Sequence, residues 1–118
     1  MSLFSKEKFG FDIDFVDVTD IENLQKAIKP STKVIWIETP SNPTLKLIDL
    51  EAVAKLAKEK NILTVCDNTF CNPYLQSPLL LGIDISLNSC TKSIGGHSDL
   101  VMGVLVLNCA ILYKDLFL

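Results

Sequence analysis

The sequence predicts an α/β fold with a mainly parallel sheet and flanking helices. Three observations carry that expectation. Short continuous apolar runs recur, as buried parallel strands require: VIWIE (34–38), ILTVCD (62–67) and IDISLN (83–88). Stretches of helical periodicity lie between or before them. Each run ends in a polar, turn-rich segment, where the sites of open α/β sheets sit.

The elements follow in order. Residues 1 to 10 carry no pattern. FDIDFVDV (11–18) alternates apolar and acidic residues, the period of a half-buried strand. Asp20 is placed to cap a short helix, IENLQKAIK, whose Ile21, Leu24 and Ile28 form one stripe; Pro30 follows its end. VIWIE is a buried strand, and TPSNPT is the loop at its carboxyl end. Asp49 is an N-cap for LEAVAKLAKEK, in which Leu50, Val53, Ala54 and Ala57 share a face and lysines gather in the last turn. ILTVCD forms the next strand, NTFCNPYLQSP is irregular, and IDISLN is a strand that leaves its ladder at Asn88. VMGVLVLN (101–108) is a last strand, and AILYKDLFL (110–118) begins a helix. Five strands with two complete helices leave a parallel sheet short of cover. The sequence therefore reads as a piece of a larger domain, or as one whose sheet a partner covers.

Composition excludes several functions. The chain is 48% hydrophobic, with a net charge of −3 from fourteen acids and eleven basic residues, every one a lysine. Nucleic-acid surfaces need a basic patch and usually arginine, so no nucleic-acid partner is expected. No apolar run approaches the roughly twenty residues that span a bilayer, and MSLFSKEKFG lacks the core of a secretory signal. Membrane association is therefore not expected either. Cys66, Cys71, Cys90 and Cys109 form no CxxC pair and read as reduced thiols of a cytoplasmic protein. With a single histidine in the chain, no metal site is expected.

Three strand ends carry chemistry. In a parallel sheet they share one edge, so Asn42, Asp67 and the group Ser89, Thr91, Lys92 can meet in one cleft. Lys92 lies between small hydroxyl residues and the pair Gly95-Gly96, which suits an amine held beside an anion. Pyridoxal 5'-phosphate (PLP) needs this set: an amine for its aldehyde, a carboxylate to keep its ring nitrogen protonated, a neutral donor at its phenolic oxygen and hydroxyls at its phosphate. Lys92, Asp67, Asn42, and Ser89 with Thr91 supply them in that order. Each has an ordinary alternative: Asp67 and Asn42 can cap turns, the hydroxyls can be plain loop residues and Lys92 a solvated surface lysine. Taken singly the ordinary roles lead; taken together, on successive strands, the cofactor does.

The runs WIETPSNPTLKLIDLEAVAKLAKE and VCDNTFCNPYLQSPLLLGIDISLNSCTKSIGGHSDLVMG resemble the Cys/Met-metabolism family of fold-type-I PLP-dependent enzymes, most of all its γ-lyases of transsulfuration. The likeness covers about residues 9 to 118. It implies that residues 1–118 are a central part of the large, PLP-binding domain of a fold-type-I transferase. It further implies a carbon–sulfur lyase that breaks the γ C–S bond of a sulfur amino acid, and a homo-oligomer built from close dimers. By position, Lys92 matches the Schiff-base lysine, which also shuttles protons. Asp67 matches the partner of the ring nitrogen, Asn42 the residue beside the phenolic oxygen, and Ser89 and Thr91 two phosphate donors. Gly96, His97, Ser98 and Asp99 match a Gly-His-Ser-Asp run, in which His97 reads as structural.

Two departures stand out. Ser93 replaces the family's usual aromatic after the lysine. The glycine-rich phosphate loop, the tyrosine that stacks on the ring, and the arginine for the substrate carboxylate have no counterpart in these residues. The resemblance therefore leads to the expectation that the 118 residues alone have little activity. The rival reading is a non-catalytic fragment or isoform that at most binds PLP or a full-length partner. A generic nucleotide-binding domain is disfavoured, because SIGGHSD is not the GxGxxG turn that opens a helix after a first strand.

Overall fold

A computed structural model of the chain describes residues 10–108 and Lys114. Within them a four-stranded sheet runs in the order β1-β2-β3-β4. The strands are β1 (Val34–Glu38), β2 (Leu63–Asp67), β3 (Ile85–Ser89) and β4 (Gly103–Leu107). The first three are parallel, with Trp36 beside Val65 and Val65 beside Ile85. β4 returns antiparallel to β3, pairing Ile85 with Leu107 and Ser89 with Gly103. The mainly parallel expectation holds, with one antiparallel edge.

Helix α1 (Ile21–Ala27) begins where Asp20 accepts a hydrogen bond from the Glu22 amide at 2.9 Å. Leu24 is buried, and Ile21 and Ile28 pack against the same core. Helix α2 (Leu50–Glu59) is capped by Asp49, whose Oδ1 accepts from the Ala52 amide at 3.0 Å. Its buried stripe of Leu50, Val53, Ala54 and Ala57 closes on Ile35, Ile37 and Cys66. This is one side of the sheet. The pleat sends Val34 and Trp36 of β1 to the other side, where both are exposed, Trp36 at 62%. The β1 run therefore alternates in burial, as a strand covered on one face does.

Two expectations are corrected. Residues 11–17 form no strand. Alternation supplies the period, but a strand also needs a partner for its backbone. Here the acids are engaged by lysines instead: Asp14 with Lys29 and Asp17 with Lys46, each at 2.6 Å. Phe15 is left 74% exposed. The stretch read as irregular after β2 contains a one-turn helix, α3 (Asn72–Leu75), and runs at Pro78 into a 3-10 turn over Pro78–Leu81. Asn72 initiates α3 by accepting from the Tyr74 amide at 2.9 Å. The expected helix over 110–118 lies outside the described residues, Lys114 apart.

The β2–β3 ladder begins at Val65–Ile85, and one residue earlier a side chain takes its place. Asp84 Oδ2 accepts from both the amide and the hydroxyl of Thr64 at 2.8 Å, and the Asp84 amide donates back to Thr64 Oγ1 at 2.9 Å. Thr64 is 1% exposed, so an orphaned amide there meets no water. Asp84→Ala is expected to destabilise the fold by about 1–3 kcal/mol, read as a lower denaturant midpoint at constant slope.

Hydrogen bonds from Lys46 and Thr19 lower the Asp17 carboxyl to about 2, from an ordinary 3.8. A carboxyl lowered on folding contributes stability above its unfolded pKa and loses it as pH falls through the folded one. The stability from the strap between residues 17 and 46 should thus be fully present at neutral pH, decline as pH falls below about 4, and be lost only once pH has fallen through about 2. An NMR titration of Asp17 should find its midpoint near 2, and Lys46→Met should return it towards 3.8.

Candidate functional site

Parallel pairing brings the carboxyl ends of β1, β2 and β3 to one edge, in the register Glu38–Asp67–Leu87. Beyond that row the chains diverge, which is how an open parallel sheet makes a crevice. β1 runs into residues 39–46, β2 into Asn68-Thr69-Phe70, and β3 into the lysine turn.

The first loop is braced by its own atoms. The Ser41 amide donates to Lys46 O at 3.1 Å, the Lys46 amide to Ser41 Oγ at 3.0 Å, and the Ser41 and Thr44 hydroxyls meet at 2.8 Å. Asn42 is exposed on this braced loop.

Asp67 is the last residue of β2 and half-buried. Its Oδ1 accepts from the Thr69 amide at 3.0 Å. The Thr69 hydroxyl in turn accepts from the Ser89 amide at 2.8 Å. Thr69 thus ties the Asp67 carboxylate to the end of β3. Ser89 is the final strand residue, one step later than the break expected at Asn88.

Lys92 sits in a wide π-helical turn over Cys90–Ile94, closed by Gly95 N to Cys90 O at 2.7 Å. Lys92 itself leaves helical dihedrals, with φ −90° and ψ −125°, and its side chain is exposed. Gly95 is required: a Cβ there would stand 2.6 Å from Cys90 O. Gly96 follows at φ +77°. Thr91 braces the turn against the chain leading into β4. Its hydroxyl accepts from the Met102 amide at 3.0 Å and reaches Met102 O at 3.4 Å. Thr91 is therefore engaged with the return strand rather than with Asp67 or Ser89.

Behind the edge lies a buried polar layer. Thr39, Asn68 and Asn88 are 2%, 0% and 2% exposed. Asn68 and the backbone of Thr39 are joined through Gln76, a residue with no local signal in the chain. Thr69 was likewise missed, although its place in Asp-Asn-Thr directly after the strand end was a usable signal. Next to Asp67, burial, with the Asp67 charge adding to it, pushes the Cys66 thiol up to about 12, so Cys66 stays protonated and inert. Chemically, the edge offers an exposed primary amine, a carboxylate, a carboxamide and hydroxyls on loops fixed by short hydrogen bonds. Among the described residues no group of three His, Cys, Asp or Glu side chains could hold a metal, and no helix is long and apolar enough to cross a membrane.

Comparison with known proteins adds what geometry alone lacks. The family model described as Cys/Met metabolism PLP-dependent enzyme matches residues 2–117. Human cystathionine gamma-lyase is 52% identical over 110 residues, covering 92% of this chain and 27% of the human one. Cystathionine beta-lyase of Bacillus subtilis is 51% identical over 110 residues, covering 93% of this chain and 28% of its own. The crystal structure of cystathionine gamma-lyase from Lactobacillus plantarum complexed with L-serine superposes with a TM-score of 0.89 at 41% identity, over 96% of this chain and 31% of that one. The chain thus spans about a quarter to a third of the length of the curated relatives it matches. A match across nearly all its residues, with the same arrangement of strands, makes this chain a member of the Cys/Met-metabolism family of PLP-dependent enzymes.

Proposed function

We propose that residues 1–118 form the cofactor-anchoring part of the large domain of a PLP-dependent lyase, one that cleaves the γ C–S bond of a sulfur amino acid. The observation that carries this reading is the common edge of β1, β2 and β3, where Asp67 ends its strand and Asn42 and Lys92 lie on the loops that follow theirs. Relatives named cystathionine gamma-lyase and cystathionine beta-lyase match the chain almost equally, at 52% and 51% identity.

The donor set fits the cofactor. The Lys92 amine would provide the attachment point for an aldehyde and, as a free amine, a base for a substrate α proton. The Asp67 carboxylate would hold a proton on the ring nitrogen, and the Thr69 amide fixes its orientation through Oδ1. The Asn42 amide would donate to the phenolic oxygen, and Ser89 with Thr91 would donate to the phosphate. Thr91 would exchange its contact with Met102 O for that role. His97 is structural. When bound, PLP supplies the electron sink that makes loss of the α proton feasible.

The chain contains no arginine, so a bidentate clamp on the substrate carboxylate must come from other residues. Proximity and orientation can account for roughly 7–11 kcal/mol of a barrier. The 118 residues by themselves are therefore expected to hold the cofactor and turn over little. A homo-oligomeric enzyme working in the cytoplasm completes the proposal; Cys66, Cys71 and Cys90 are free thiols, as that compartment favours.

The test is reconstitution with PLP, borohydride reduction and peptide mapping. A visible absorbance band and a label on Lys92 alone are expected, with both lost in Lys92→Ala. In a full-length protein, Asp67→Asn should lower turnover by about 100-fold or more while leaving the fold intact by circular dichroism. A label scattered over surface lysines, or full turnover in Lys92→Ala, would overturn the reading.

A further inference from the structure

Past the row Glu38–Asp67, the β1–β2 ladder has no backbone bonds left to set how far the two chains diverge. One side chain bridges the gap. Gln76 Nε2 donates to Thr39 O at 3.0 Å and to Asn68 Oδ1 at 2.9 Å. Both partners are acceptors, so the amide nitrogen must face them and both its hydrogens are used. Asn68 reciprocates, donating from Nδ2 to Gln76 O at 2.8 Å. Thr39 and Asn68 are 2% and 0% exposed, so water does not compete for these bonds.

The bridge is itself held at both ends. Asn68 N donates to Leu87 O at 2.8 Å, which fixes Asn68 to β3. Thr39 Oγ1 accepts from the Ile48 amide at 3.0 Å, which fixes the root of the first loop to the approach of α2. Gln76 is presented by a short closed segment, in which Asn72 N donates to Asn68 O at 2.8 Å and Gln76 N to Asn72 O at 3.2 Å. Asn68 directly follows Asp67, and Thr39 lies three residues before Asn42. Gln76 therefore adds a final rung where the sheet opens into its crevice.

We propose that Gln76 is a positioning residue: its carboxamide fixes the spacing between the Asn42 loop and the Asp67 strand end, and through it the fit of the site to a planar, proton-bearing ring. The second half of this statement rests on the PLP reading; the first does not. Gln76 touches neither group and acts only through Thr39 and Asn68.

Gln76→Glu is the sharpest variant. It keeps the volume, removes both donors and puts carboxylate oxygens against two acceptors; Gln76→Met removes the donors without the repulsion. Two readouts apply at a temperature where every variant is folded. In the cofactor-free protein, amide shifts at Ser41, Asn42 and Asp67 should move in Gln76→Glu. PLP affinity should fall by about tenfold in Gln76→Glu and by less in Gln76→Met, the equivalent of about 1.4 kcal/mol. Shift changes confined to residues 72–78 would overturn the bridge. Unchanged PLP affinity, with only a lower melting temperature, would reduce Gln76 to a structural residue. If the wild-type protein fails to label Lys92, the PLP reading falls, while the shifts at Asn42 and Asp67 still decide the bridge.

Discussion

The backbone ladder that holds β1, β2 and β3 parallel is the constraint from which the rest follows. Parallel pairing ends all three strands at one edge, so the polar residues after each strand are neighbours in space though some twenty or more residues apart in sequence. The apolar side of the ladder is closed by α2, whose Val53 and Ala57 are each 1% exposed. The crossovers must then carry the chain back to start the next strand in the same direction. The β1–β2 crossover delivers Asp49 as the cap of α2.

That edge is not left to the ladder alone. Each loop is tied at least once by a side chain: Ser41 within the first, Thr69 between the second and third, Thr91 between the third and β4. Beneath them, Thr39, Asn68, Asn88 and Gln76 make a polar layer where a core would normally be apolar. Such a layer is stable only where its groups are paired. Most are; among the described residues Asn88 Oδ1 is the buried side-chain atom without a hydrogen-bond partner. A polar layer with defined partners sets positions more sharply than an apolar one, and it stands directly behind Asp67.

The apolar runs of β1, β2 and β3 and the capped stripes of α1 and α2 were legible in the sequence, because burial and capping leave local patterns. The direction of β4 was not: GVLVL reads the same either way, and only its bonding to β3 sets it antiparallel. Residues 11–17 misled because FDIDFVDV has the period of a strand, whereas Asp14 and Asp17 are taken by lysines far along the chain. The short turns between Asn72 and Leu81 escaped notice because four residues hold too little periodicity. That Asn42, Asp67 and Lys92 fall at one edge of the sheet was legible, because Asp67 ends its strand and the other two follow theirs; their role at a cofactor is a proposal. Gln76 carries no local signal, since its partners are Thr39 and Asn68, which only the folded chain brings to it. Local chemistry is written locally; a bridge between loops is not.

If the strand edge presents Asp67 to the ring nitrogen of a cofactor held at Lys92, that nitrogen carries a proton. The most direct measurement is the 15N chemical shift of that nitrogen in PLP labelled at the ring and bound to the protein. A protonated ring at neutral pH, changing to a neutral one in Asp67→Asn, is the result predicted. A neutral ring in the wild-type protein, or a shift indifferent to Asp67→Asn, would contradict the account.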